Sequence, residues 1–219
     1  MTNGSFWHWY NREAAPKLEM REISFRKIFN YLDMFDHPIT IVETGCVRIP
    51  GNWSDGQSTL LFDEYVKCRH TDSMVYTIDL DPNATAICKS MVSDKVSIYT
   101  GDSVLVLREI GKRLEQTSRT IDLLYLDSYD LDWDNPTPSA VHHLKELTSI
   151  IGLINPKTLV VVDDCALVFR GLADALNNYI LFSPPVIGGK GQYVAEYAAQ
   201  VRASVAFSHY QVGWTDFVT

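Results

Sequence analysis

The stretch IVETGCVRIPGNWSDGQSTL, residues 41–60, opens as an apolar, β-branched strand and ends that strand in an acid and a glycine. It then runs through a loop with Pro50, Gly51 and Gly56 before helical spacing begins. Glu43-Thr44-Gly45 therefore sets a carboxylate and a bare backbone at the carboxyl end of a strand. Open α/β sheets hold their ligands outside such ends when the strands run parallel. The flanking sequence decides whether this strand belongs to a sheet of that kind.

Upstream, Leu18, Ile23, Phe25, Ile28, Phe29, Leu32 and Phe35 recur at mixed spacings of three and four. This predicts an amphipathic helix over about 14–35, stopped by His37-Pro38. Downstream, short apolar runs predict strands over 41–44, 74–79, 95–100, 121–127 and 158–164. They alternate with helical patterns over 56–68, 83–92, 103–116, 137–151 and 167–178. Strands apolar enough for burial on both faces, alternating with helices, predict a Rossmann-like, doubly wound, mostly parallel α/β sheet. The tail adds a Pro/Gly-rich loop, a helix over about 192–202 and an aromatic end suited to a C-terminal edge strand or hairpin.

No repeat or linker divides the chain, so one domain is expected. Residues 1–37 form a helical extension, 38–165 the core that carries the strand ends, and 166–219 the completion of the sheet. With 219 residues, 46% of them hydrophobic, the chain can bury a sizeable core. A net charge of −8 argues against a nucleic-acid footprint, although it leaves room for a local basic pocket. Cys46, Cys68, Cys88 and Cys165 lack metal-ligand or CxxC spacing, so reduced thiols and a cytoplasmic setting are expected. No apolar run approaches ~18 residues and no leader pattern opens the chain, so no membrane association is expected.

Each predicted strand ends in a polar cluster: Glu43-Thr44-Gly45, Asp79-Leu80-Asp81, Gly101-Asp102-Ser103, Asp127-Ser128-Tyr129-Asp130 and Asp163-Asp164. Any one of them can cap the following helix; together they put five acidic clusters at one crevice. A dinucleotide site requires GxGxxG after the first strand, and only Gly45 is in place. A ligand with a ribose and a positive centre but no phosphate suits acids better. Asp79 can accept both ribose hydroxyls, Glu43 lies toward an ammonium or sulfonium, and Asp102 and Ser103 lie toward an adenine. S-adenosylmethionine carries those groups.

With ETGC at 43–46, TIDLDP at 77–82, GDS at 101–103 and IDLLYLD at 121–127, the chain resembles the class I S-adenosylmethionine-dependent methyltransferases over roughly residues 39–164. The first motif departs from the family's repeated glycines. The resemblance implies a cofactor site made by Glu43, Thr44, Gly45, Ser58, Asp79, Leu80, Asp102, Ser103 and Asp127. LDSYD followed by VVVDDCA resembles the metal-dependent O-methyltransferases of the catechol and macrolide-sugar types. That resemblance implies Asp127, Asp163 and Asp164 as ligands of Mg²⁺, a hard cation that an all-oxygen set suits.

Adjacent residues of a strand point oppositely, so Asp163 and Asp164 can share a metal only if the strand ends there and the chain turns. A helix-cap role for Asp164 is the alternative. The catechol type carries a lysine base three positions after its first metal acid; this chain has Asp130. The sugar type has a further acid close to the first, which Asp130 resembles, so Asp130 is the expected base or additional ligand beside Asp127 in the catalytic set, with His142 or His143 as alternatives for the base. Lys190, within GGKG, can meet an anionic substrate or donate to an oxygen, or can simply lie in a loop.

Trp7, Trp9, Tyr10, Trp53 and Trp133 can line a sugar or planar acceptor, fill the core, or make a homodimer contact. The expected reaction is methylation of a small-molecule or sugar hydroxyl assisted by Mg²⁺. Metal-independent transfer to nitrogen or carbon, and a binding protein without activity, are the alternatives.

Overall fold

A computed structural model of the chain describes residues 3–55, 57–168, 171–173, 179–181 and 185–217. In chain order the elements are α1 (Asn3–Trp9), α2 (Arg21–Leu32), β1 (Thr40–Thr44), α3 (Ser58–Lys67), β2 (Met74–Asp79), α4 (Pro82–Met91) and β3 (Val96–Thr100). There follow α5 (Ser103–Gln116), β4 (Leu123–Leu126), α6 (Thr137–Ile150), β5 (Leu159–Val162), β6 (Cys165–Val168), β7 (Gly171–Ala173) and β8 (Tyr179–Leu181). The chain closes with β9 (Val186–Gly189), α7 (Gln192–Gln200), β10 (Ser204–Ser208) and β11 (Val212–Thr215). Among the described residues no helix is long and apolar enough to cross a membrane.

Seven strands make the main sheet in the order β10-β11-β5-β4-β1-β2-β3. β3, β2, β1, β4 and β5 are parallel, while β11 runs antiparallel to both β5 and β10. The sheet is thus the doubly wound one expected, completed by a C-terminal hairpin. Strand order reverses between β1 and β4, which opens the ligand crevice at their carboxyl ends.

Central parallel strands are covered on both faces, which is why β1, β4 and β5 are buried along their whole length. Their side chains alternate between two cores. Ile41, Leu123, Tyr125 and Val161 join Phe6, Tyr10, Phe25, Phe29 and Phe62 on one face. Val42, Leu124, Leu126, Val160 and Val162 meet Leu107, Ile110, Leu147 and Trp214 on the other. The N-terminal aromatics Phe6 and Tyr10 are thereby spent on the chain's own core, and Trp7 donates its Nε1–H to Asp33 Oδ2 at 2.7 Å.

Two local expectations change. The helix expected over 14–35 is confined to Arg21–Leu32, and helical turns over Tyr10–Ala14 and Ala15–Lys17 precede it. The helix expected over 167–178 gives way to strands: Leu167 and Val168 lie in β6, paired antiparallel with β9, and residues 171–173 form β7 against β8. Residues 169–170 and 174–178 of that expected helix, and residue 56 at the start of the one expected over 56–68, lie outside the described residues.

Candidate functional site

At the carboxyl ends of β1, β2, β3 and β4 lies a cleft of about 430 Å³, within the usual range for small-molecule sites. Gly45 forms its turn. The residue has φ +83, and a Cβ there would stand 2.6 Å from the Asp127 carbonyl oxygen, so only a glycine lets β1 end this close to β4.

Directly beneath, Glu43 is fully buried on β1 and accepts hydrogen bonds on Oε2 from the hydroxyls of Thr59 and Thr77, both at 2.7 Å. Burial raises its pKa to about 7 despite those hydroxyls. Among the described residues its Oε1 has no hydrogen-bond partner. Glu43 and Thr44 stand behind the cleft rather than on its wall; Thr44 donates its hydroxyl to Glu146 at 3.1 Å.

The wall carries Gly45, Ser58, Asp79, Leu80, Asp102, Ser103 and Asp127, all expected at a cofactor site. Asp79 ends β2, and backbone N–H groups fix it on both oxygens: Cys46 donates to Oδ2 at 3.1 Å and Asp81 to Oδ1 at 2.9 Å. Asp81 and Asp102 also cap α4 and α5, accepting from the amides of Asn83, Val104 and Leu105. Capping and wall placement coincide at Asp102, since one carboxylate oxygen takes both amides.

Ser103 leads into a polar network that the sequence did not reveal. Its hydroxyl meets His142 Nε2 at 2.9 Å, and the same nitrogen lies 3.3 Å from Glu146 Oε1. Ser128 donates to that oxygen at 2.6 Å. The hydrogen bond to Glu146 raises the pKa of His142; for Glu146, burial opposes ionisation, yet the bonds from His142 and Ser128 hold it low.

His142, beside Tyr129, is therefore the histidine on the wall. His143 is turned inward: it is fully buried, its Nδ1 meets the Ser139 carbonyl at 2.7 Å, and burial lowers its pKa to about 4. The expectation of His143 as a base is corrected accordingly. Helical spacing carried the signal, because Ala140, His143, Leu147 and Ile150 make one buried stripe on α6.

The other end of the cleft is a knot of acids and cations. β5 ends at Val162 and the chain turns at Asp164, whose φ of +47 is left-handed. Asp163 and Asp164 thus do not stay in extended register. Asp163 lies behind the wall, with its oxygens toward Arg21 Nε at 3.1 and 3.3 Å and toward the Tyr125 hydroxyl at 3.2 Å. Asp164 takes Arg21 Nη2 at 3.2 Å and the Tyr210 hydroxyl at 2.6 Å on one oxygen, and Lys190 Nζ at 3.0 Å on the other. Asp127 Oδ1 takes Lys190 Nζ at 2.6 Å.

Lys190 is only 3% exposed. It arrives because Gly189, at φ +67, lets β9 press its backbone onto the Asp164 carbonyl, where a Cβ would clash. Burial pushes the Lys190 pKa down, but Asp127 and Asp164 outweigh it and keep the ammonium charged. Burial and the neighbouring carboxylates push Asp127 well above the usual carboxylate range, with Lys190 opposing. Asp130, expected as base or further ligand, instead pairs with Arg48 at 3.1 Å and is 77% exposed.

As placed, the three acids do not fit a metal. The protein's own cations already hold both oxygens of Asp163 and of Asp164 and one of Asp127, Asp163 does not reach the wall, and no group of three or more His, Cys, Asp or Glu among the described residues is arranged to hold an ion. Arg21 and Tyr210 were missed from sequence. They lie far from the acids along the chain, and only the packing of α2 and of the turn before β11 brings them in.

No family model matches the chain, and no curated protein matches it. Among solved structures, a putative O-methyltransferase from Klebsiella pneumoniae is similar over 87% of this chain and 79% of its own, with a TM-score of 0.50 at 14% identity. A methyltransferase from Geobacter sulfurreducens covers 99% and 95% with a TM-score of 0.48 at 15% identity. An O-methyltransferase from Bacillus cereus in complex with SAH covers 98% of each chain with a TM-score of 0.45 at 11% identity. The Klebsiella likeness shows the shared fold, a Rossmann-like α/β sheet.

Proposed function

We propose that this chain is a methyltransferase that uses S-adenosylmethionine to methylate a hydroxyl of a small acceptor, a sugar or a planar compound. The observation that carries the reading is the Asp79 carboxylate. Amides of Cys46 and Asp81 fix it, it lines the cleft, and it keeps acceptor capacity for a ribose diol beside the bare turn at Gly45. No glycine-rich phosphate cradle accompanies it, and the acids of the wall favour a cationic ligand over a dinucleotide.

Asp102 and Ser103 extend the site toward an adenine, with His142 behind Ser103. When bound, the cofactor supplies a methyl group on a sulfonium, open to attack by oxygen. Trp133, Tyr129 and Tyr210 give the acceptor end flat, amphipathic walls. Asp127 is the carboxylate there that can take the hydroxyl proton. As the O–CH₃ bond forms and the S–CH₃ bond breaks, the proton passes to Asp127 and S-adenosylhomocysteine leaves.

Lys190 and Arg21 already answer the acids, so this reading involves no magnesium. The test is incubation with methyl-labelled S-adenosylmethionine and a panel of phenols and sugars. Label recovered as an ether with matching S-adenosylhomocysteine supports the reading. Label recovered only on nitrogen or carbon acceptors contradicts the hydroxyl assignment.

A further inference from the structure

Three carboxylates meet two cations at the acceptor end, and the cations come from distant elements. Arg21 starts α2 and spans Asp163 and Asp164, while its Nη1 donates to the Ser54 carbonyl at 3.1 Å. Its guanidinium lies 4.8 Å from the Tyr210 ring centroid, which orients it. Lys190 follows β9 and bridges Asp127 and Asp164 at 2.6 and 3.0 Å. The pairing of Cys165 with Gly189 fixes β9 against the end of β5, so the lysine is built into the fold rather than draped over it.

We propose that the Lys190 ammonium is the resident cation of this site and takes the place of a divalent metal, so that methyl transfer is metal-independent. The claim rests on the methyltransferase reading for the identity of its acceptor. A divalent ion placed between Asp127 and Asp164 would stand where the ammonium already stands, and the two would repel at close range. An ammonium has three N–H donors; two serve Asp127 and Asp164, and the third remains for an acceptor oxygen in the cleft that Lys190 lines. Negative charge gathering on that oxygen during transfer then meets a fixed positive group in a partly dry site. Lys190 stays protonated throughout; the hydroxyl proton goes to Asp127 and the methyl group to the acceptor oxygen.

The test is Mn²⁺ titration followed by electron paramagnetic resonance, with S-adenosylhomocysteine calorimetry in the same buffer. The wild-type chain is expected to leave the free-ion signal unchanged, and Lys190→Gln to take up about one Mn²⁺ per chain once the ammonium no longer fills the gap between Asp127 and Asp164. Uptake of one Mn²⁺ by the wild type, displaced by Mg²⁺, overturns the proposal, and so does a folded Lys190→Gln that takes up none. The wild-type arm decides the matter even if the variant does not fold. Absent S-adenosylhomocysteine binding overturns the methyltransferase reading alone and leaves the Mn²⁺ result standing, so the two failures are told apart.

Discussion

The backbone N–H of Cys46 donates to Asp79 Oδ2 at 3.1 Å, tying the turn after β1 to the acid at the end of β2. One bond thereby couples the two strand ends that line one half of the cleft. Asp79→Ala removes both this tie and the carboxylate that the proposed function gives to the ribose hydroxyls. A hydrogen bond to a charged group contributes about 1.5–3 kcal/mol, so S-adenosylhomocysteine affinity is expected to fall roughly 10- to 100-fold by calorimetry. Unchanged affinity would remove Asp79 from the site.

Gly45→Ala tests the close approach of β1 to β4. The added Cβ meets the Asp127 carbonyl oxygen at 2.6 Å, and the left-handed backbone disfavours any side chain. The variant should lose about 1–3 kcal/mol in urea unfolding and bind S-adenosylhomocysteine poorly. A variant of parental stability would mean that the turn has room that this geometry denies.

Glu43 makes a prediction with a definite sign. Its pKa is raised from 4.5 to about 7 by burial, so between those values the folded chain holds a proton that the unfolded chain has released. Stability from this group is fully present below pH 4.5 and is lost as pH rises toward 7, by up to about 3 kcal/mol. Glu43→Gln, which cannot ionise, should lack that loss. His143, lowered to about 4, contributes the opposite trend, with stability lost as pH falls from 6.5 toward 4. Because both chains share His143, the difference between their urea midpoints across pH 4.5–7 isolates Glu43. Parallel curves would contradict the assignment.

Asp130 is exposed and paired with Arg48 at the mouth of the cleft. Asp130→Asn is expected to change stability by less than about 1 kcal/mol and to leave S-adenosylhomocysteine binding intact. Complete loss of methyl transfer in this variant, with the cofactor still bound, would restore Asp130 as the base.

What the sequence made legible was whatever local pattern controls. Strand ends such as Glu43-Thr44-Gly45 and Asp79-Leu80-Asp81 are read from apolar runs that stop at acids, and the cleft forms where those ends were expected. The hairpin of β10 and β11 was legible from the aromatic tail for the same reason. Residues 167–178 carry apolar spacing that imitates a helix, but the pairing of Leu167 with Ile187 is non-local and overrides it.

The acid–cation knot was half legible. Asp127, Asp163 and Asp164 stand at strand ends, whereas Arg21 reaches Asp163 from a helix early in the chain. Lys190 reaches Asp127 only because Gly189 brings β9 onto the turn after β5. A metal inferred from three acids is the natural reading until the partners of those acids are known.

The most direct measurement is isothermal titration calorimetry of the wild-type chain with S-adenosylhomocysteine in the presence of EDTA. One site per chain with micromolar affinity, weakened by Asp79→Ala, is the expected result. No binding heat under those conditions, with the chain folded by circular dichroism, would contradict the claim that the cleft at the ends of β1 and β2 holds a nucleoside cofactor.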